Sequence, residues 1–349
     1  MIKIFLKKYI YFFLLSKKIF KKPSKKKVLI FDSDDSEKIK KYLNKNIVEV
    51  LDIRMAYEAN QRLNVYILFK CFFNLKFSVK EYFKEYIRTV NPRLLITLTD
   101  NYPQFYDLNK IDSKMVTVII QKAFRSLQPS DVLYKLNQLR KNKNNFCDYL
   151  LMFNLSTGQL FKSFLKGKII PIGSFKSNSV NKNKKIKKTI DLLYISVFRP
   201  LPYKTKREDF IFFNNLKIYC KKKKIYLHVL GATGYENEKN FYNKIFGSVM
   251  KKYINRFENR NPYKIVDKSN IILNIDSTLG YEAKARGNKV AFFSIRKKNY
   301  PYHSRQFGWP VKKRFGKGRF WTDKNTYKEL ARIINFLRAC KIEKFKEMK

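Results

Sequence analysis

Short runs of consecutive apolar residues recur along the chain, each followed by a polar turn and then by a helical stretch. In "KKVLIFDSDDSEKIKKYL" the pattern predicts a buried strand over Val28–Phe31, a turn with capping residues, and a helix. The same start returns in "RLLITLTDNYPQFYDL", with a strand from Leu94 to Leu98, and in "KMVTVIIQKAFRSLQPSD", with a strand from Met115 to Ile120. "CDYLLMFN" and "KGKIIPIGSF" predict two more strands. After a Lys- and Asn-rich stretch the rhythm restarts at Ile190–Phe198. A long basic helix "KREDFIFFNNLKIYCKKKK" and a strand in "IYLHVLGATG" follow. Continuous apolar strands alternating with helices predict parallel sheets covered on both faces, an α/β fold.

The organisation read from this pattern is a basic amphipathic N-terminal segment (1–24), a first Rossmann-like domain (25–175), a linker (176–189) and a second Rossmann-like domain (190–349). Two such domains facing a cleft would place a ligand between them.

Most of the candidate chemistry sits in "ILNIDSTLGYEAKARGNKVAFF", Ile272 to Phe293. It predicts a buried strand, a small polar turn, a helix starting at about Leu279–Gly280 and closed by a Gly, then a second strand. Asp276, Ser277 and Thr278 fall at the carboxyl end of the strand, where open parallel sheets bind ligands. A helix N-terminus there offers unpaired N–H groups to a phosphate. Ser277 and Thr278 either cap the helix or donate hydroxyls to phosphate oxygens, and Gly280 allows close approach to the backbone. Glu282 either complements the helix dipole in the first turn or accepts a pair of sugar hydroxyls, as an acid does in dinucleotide folds.

Charge widens the range of partners. The 349 residues hold 76 Lys and Arg against 27 Asp and Glu, a net +49. Nucleic acid, an anionic membrane and an anionic substrate all suit such a chain. The mixture of Lys with Asn, Ile, Phe and Tyr is also what an AT-rich genome produces, so the charge alone names no partner. Lys is dispersed, and no nucleic-acid-binding signature is present. Cys71, Cys147, Cys220 and Cys340 are too scattered for a ligand or redox set, and two His complete no zinc site. Buried free thiols are expected. The N-terminal "IFLKKYIYFFLLSKKIFKKPSKKK" has an apolar run from Tyr9 to Leu15, too short to span a bilayer and without a signal-peptide cleavage site. It suits either a membrane interface or a helix packed on the first domain.

"SNIILNIDSTLGYEAKARGNKVAFFS" resembles the C-terminal domain of GT-B glycosyltransferases. More narrowly, with "LITLTDNYPQFYDL", "VIIQKAFRS", "CDYLLMFN", "IIPIGSF" and the late "FGWP…GRFWT", the chain looks like bacterial surface-polysaccharide and O-antigen biosynthesis proteins. The resemblance implies a GT-B-like fold and sugar transfer from a nucleotide-sugar donor to a lipid-linked or growing polysaccharide of O-antigen or capsule type. Glu282 would bind the donor ribose, and Ser277, Thr278 and Gly280 would meet the phosphates. No cofactor or metal is implied, no nucleic-acid partner is expected, and the chain would work in the cytoplasm at the inner face of the membrane. A departure is Lys122–Ala123 after Gln121, where the family pattern has Asn-Gly. Polyol-phosphate transfer, 2-epimerisation of a nucleotide sugar, and non-catalytic binding of nucleic acid or membrane remain as alternatives.

Sugar transfer with inversion needs a general base. Asp100, just after a strand, is the first choice, against an Asx-turn or cap. Asn101, Gln121, Arg125 and Ser174 lie at strand ends on the acceptor or phosphate side. Asp32, Asp34 and Asp35 suit turns and caps. His228 suits a satisfied strand residue. His303, Trp309 and Trp321 suit an aromatic loop, lid or core.

Overall fold

Val28–Phe31 is buried at every position, as a strand covered on both faces must be, and it seeds the first of two parallel sheets. The computed structural model describes residues 14, 16–52, 62–76, 78–112, 114–125, 145–182, 186–198, 206–234, 236–256, 261–296, 307–308 and 316–348. His303, Trp309 and, Leu14 aside, the run Tyr9–Leu15 lie outside these residues. The chain divides into two units, Met1–Arg125 with Pro129–Ser179, and Ser126–Gln128 with Val180–Lys349.

In the first unit, β1 (Lys17–Ile19), β2 (Val28–Phe31), α1 (Ser36–Lys40), β3 (Val48–Leu51), β4 (Arg62–Asn64), α2 (Val65–Phe73) and α3 (Val79–Val90) come first. They are followed by β5 (Leu94–Thr97), β6 (Val116–Ile120), β7 (Phe146–Met152), α4 (Leu155–Lys162), β8 (Lys166–Pro171) and α5 (Phe175–Asn178). Six strands form one parallel sheet in the order β3-β2-β5-β6-β7-β8, and β1 pairs with β4 apart from it. Local signals set the helix starts. Asn64, Ser78 and Asn154 accept hydrogen bonds from the backbone N–H groups of Ile67, Glu81 and Thr157, each three residues on.

The second unit runs β9 (Ile190–Ile195), α6 (Lys206–Lys223), β10 (Leu227–Leu230), α7 (Glu236–Phe246), β11 (Met250–Ile254), α8 (Pro262–Asp267) and β12 (Ser269–Asn274). Then come α9 (Thr278–Ala285), β13 (Lys289–Phe293), β14 (Trp321–Thr322), α10 (Tyr327–Ala339) and α11 (Ile342–Glu347). Its strand order is β11-β10-β9-β12-β13-β14, all parallel, with Leu193 in register with Ile272 on one side and His228 on the other. Its core joins Leu193, Tyr194, Phe213, Leu216, Ile272, Val290 and Ile334, all almost fully buried. Trp321 belongs to it, stacked on Phe307 at 5.7 Å.

Each sheet has one point where strand order reverses, between β2 and β5 in the first unit and between β9 and β12 in the second. Ligands of open α/β sheets bind at the carboxyl ends of strands at such points. Both sheets are thus of Rossmann type, as the apolar pattern predicts.

Several features differ from the sequence reading. The edge strands β3 and β11 do not show as apolar runs, because Glu49 interrupts β3 and Lys251 and Lys252 of β11 face solvent. The Lys- and Asn-rich stretch is not a bare linker. Arg286 donates to the Val180 carbonyl at 3.0 Å, and Lys188 Nζ donates to the Asp267 and Ser269 carbonyls and to Asn288 Oδ1. That stretch is fastened to the second unit by its own basic side chains. All four cysteines are buried free thiols, and burial pushes Cys147 and Cys220 up to about 12. Among the described residues no helix is long and apolar enough to cross a membrane.

Candidate active site

The reversal point of the second sheet carries the turn picked out above. The helix begins one residue earlier than the pattern predicts: Ser277 occupies the N-cap position and α9 starts at Thr278. Ser277 makes no side-chain capping bond; its backbone N–H instead donates to Asn274 Oδ1 at 3.1 Å. Gly287, with φ of +79°, ends the helix as predicted, its N–H donating to the Lys284 carbonyl.

Two of the reasons given for these residues change. A side chain at Gly280 would overlap Asn274, so the missing Cβ makes room for that buried amide beneath the helix rather than for a ligand. Glu282 is the fifth helical residue, not part of the first turn, and it is only 5% exposed. The helix dipole acts mainly within the first turn, so dipole complementarity explains Glu282 poorly.

Buried donors surround this turn. Asn274 Nδ2 is buried with no hydrogen-bond partner among the described residues, as are Nε and Nη2 of Arg256, just past β11. Burial draws the Arg256 pKa down, against the opposing pull of the Glu238 and Glu282 charges. Buried polar groups are seldom left unpaired, and a guanidinium edge offering Nε and Nη2 matches an anion's two oxygens. Nothing in "YINRFENRNPY" marks Arg256 by spacing or periodicity.

Two buried acids shape the strand ends. Asp276 is not available to a ligand as a lone carboxylate, because Arg296 reaches it at 3.1 Å and also binds Asp209 at 2.5 and 2.8 Å. Arg296 is 2% exposed, and although burial alone would lower its pKa, the two carboxylates hold it well above the ordinary value. Glu238, fully buried, accepts from the backbone N–H groups of Ala232 and Thr233 and from the hydroxyls of Thr233 and Ser196. It thereby fixes the loop after β10. His228 is a strand residue as expected, but its Nδ1 is buried without a partner among the described residues, and burial lowers its pKa.

In the first unit Asp100, the first choice for a base, has a cation as its partner. Asp100 is 0% exposed, and Arg125 donates to both its carboxylate oxygens, from Nε at 2.9 Å and from Nη2. Both oxygens of the Asp100 carboxylate are thus engaged, and Asp100 holds Arg125. Gln121 is spent on the backbone, its amide bridging the Ala123 carbonyl and the Phe153 N–H. Ser174 caps α5 by accepting from the Ser177 N–H, and Asn101 is exposed. Asp32 accepts from the Thr99 hydroxyl at 2.6 Å, stitching β2 to β5. Lys122, which departs from the family pattern, pairs with Asp34 and Asp35. Burial opposes ionisation of Asp35, but the Lys38 hydrogen bond and the charges of Lys122 and Lys176 win and hold it at about 2. A cavity of about 190 Å³ in this unit is lined by Lys21, Glu49, Asp52, Arg62 and Tyr86 among others.

Two outcomes follow from the buried charges. Arg296→Met strands two carboxylates and should cost about 3–5 kcal/mol in urea unfolding, most of it recovered when Asp209→Asn and Asp276→Asn are added. Glu238 has its pKa raised by burial but lowered further by its hydrogen bonds, with a net lowering. Its contribution is therefore fully present above the unfolded value, about 4.3, and is lost as pH falls through the folded one. Glu238→Gln should cost about 1–3 kcal/mol at pH 7 and flatten the acid side of a stability-against-pH curve.

Known proteins share this architecture. A structure of the wall teichoic acid polymerase TagF covers 92% of this chain and 84% of its own, at 12% identity and a TM-score of 0.55. A histidine-to-asparagine variant of TagF soaked with CDPG covers 92% and 83%, at 11% identity and 0.51. A "putative UDP-N-acetylglucosamine 2-epimerase from Listeria monocytogenes" covers 93% and 91%, at 11% identity and 0.53. Identities this low establish the fold, which is GT-B-like. No curated protein matches the chain. Residues 118–349, about two-thirds of the sequence, match the model of a family described as "putative O-antigen biosynthesis protein", and the chain belongs to that family.

Proposed function

We propose that the chain is a glycosyltransferase that moves a sugar from a nucleotide-sugar donor to a lipid-linked or growing surface polysaccharide, at the inner face of the cytoplasmic membrane. The observation that carries this reading is Glu282, a buried acid past the first turn of α9, beside the Ser277–Thr278 turn at the reversal point of the second sheet. In this reading the donor's diphosphate lies at the N-terminus of α9, near the Ser277 and Thr278 hydroxyls. Arg256 offers its free guanidinium edge to the same anion, and Glu282 accepts from the ribose hydroxyls. Backbone N–H groups and a guanidinium in a water-poor site stabilise charge on a departing phosphate. On the acceptor side, Arg125 is held by Asp100 and supplies positive charge for an anionic sugar or phosphate, with Asn101 beside it in sequence.

Polyol-phosphate transfer is the second reading, favoured by the shared fold of TagF and by the CDPG soaked into one of its variants. The choice of nucleotide separates the two. Calorimetry against UDP, GDP, TDP and CDP, with Glu282→Ala in parallel, should show saturable binding of one nucleotide, weakened at least tenfold in the variant. Preference for CDP favours the polyol-phosphate reading. No binding by a normally folded protein, or equal binding by the variant, would remove Glu282 from the donor site.

A further inference from the structure

Helix α2, "VYILFKCFF", is apolar on every face except Lys70, the composition of a helix buried all round. One side is buried along the helix, through Ile67 and Cys71, and Val65 is buried only at its first residue. The opposite stripe, Phe69, Phe72 and Phe73, at the i, i+3, i+4 spacing of one helical face, is 58%, 61% and 79% exposed. Leu75 follows at 79%, and Phe20, just past β1, stands at 74%. The two elements are neighbours: β1 pairs with β4, which runs directly into α2, and Lys22 Nζ sits 5.5 Å from the centre of the Tyr66 ring.

The two stretches that carry these side chains hold charge of one sign. Residues 16–27 contain seven Lys, and residues 62–76 add Arg62, Lys70 and Lys76, with no Asp or Glu in either stretch. Lys17, Lys21 and Lys22 are exposed, while Lys70 is bound to Glu85 on α3 at 2.6 Å.

We propose that this face, α2 with β1, is the surface on which the chain lies against an anionic lipid bilayer. Protruding Phe and Leu side chains enter the boundary between headgroups and acyl chains, and the surrounding lysines meet the lipid charge. Neither half suffices for another partner. A second copy docking face to face would bring like charges together. A nucleic acid would match the lysines but leave Leu75 without a polar or stacking role. The proposal rests on the membrane side of the reading above and needs nothing of the nucleotide site, so nucleotide binding serves as an independent control.

The test is flotation of the full chain with vesicles of phosphatidylcholine alone or with 30% phosphatidylglycerol, comparing the wild type with Phe69→Ser/Phe72→Ser/Phe73→Ser. This variant keeps every charge, so attraction of the whole +49 chain to anionic lipid is held constant. The expected result is binding to the anionic vesicles that persists in part at 0.5 M salt in the wild type and falls at least tenfold in the variant, with nucleotide affinity unchanged. Equal vesicle binding by both proteins would overturn the proposal. So would loss of single-stranded RNA binding, or of a dimer seen by light scattering, while vesicle binding stays intact, since the face would then belong to that partner. A variant that loses nucleotide binding too is replaced by Phe73→Ser alone, the most exposed of the three, for which a drop of at least threefold is expected and no drop overturns the proposal.

Discussion

Arg296 ties three distant pieces of the second unit to one point. Its guanidinium takes Asp209 from the start of α6 on one edge and Asp276 from the turn after β12 on the other, while its own backbone continues from β13. Removing three charges from water costs several kcal/mol each, and only near-complete pairing makes the arrangement tolerable. A hydrophobic substitute of the same volume could fill the space. It could not hold the Asp276 backbone in place, and the Ser277–Thr278 turn and α9 hang from that backbone. The geometry of the candidate donor site is thus set by an ion cluster that itself touches no ligand in the proposed arrangement.

Beside that anchor, the loops at the carboxyl ends of the strands are held by side chains, not by regular structure. Glu238 gathers the N–H groups after β10, and Asn274 takes the Ser277 N–H and lies beneath Gly280. Thr97, Thr99 and Asp32 do the same work at the reversal point of the first sheet. The contrast between buried acids is instructive. Asp100, Asp276 and Glu238 each hold a named partner in place, and the charge of Glu282 acts on Arg256, whose Nε and Nη2 find no acceptor among the described residues.

Much of this architecture was legible in the chain because buried parallel strands leave a strong mark. Val28–Phe31 and Ile190–Ile195 are apolar nearly throughout, Ile271–Leu273 form the apolar centre of β12, and the Gly287 helix stop is local chemistry. Edge strands β3 and β11 lack the mark, since Glu49 interrupts the first and Lys251 and Lys252 the second. The turn at Ser277–Glu282 was visible as a pattern, but what supports it was not. Arg296 stands 87 residues from Asp209, and no periodicity links them. The Asp100 pairing is hidden for the same reason: a strand-end acid looks accessible until Arg125, 25 residues later, folds onto it.

The most direct test of this account is amide hydrogen exchange of the full chain with and without a saturating nucleoside diphosphate. Protection concentrated on the backbone of residues 276–282, at the end of β12 and the start of α9, is the result the account requires. Protection confined to other strand ends, with 276–282 unchanged, would contradict it.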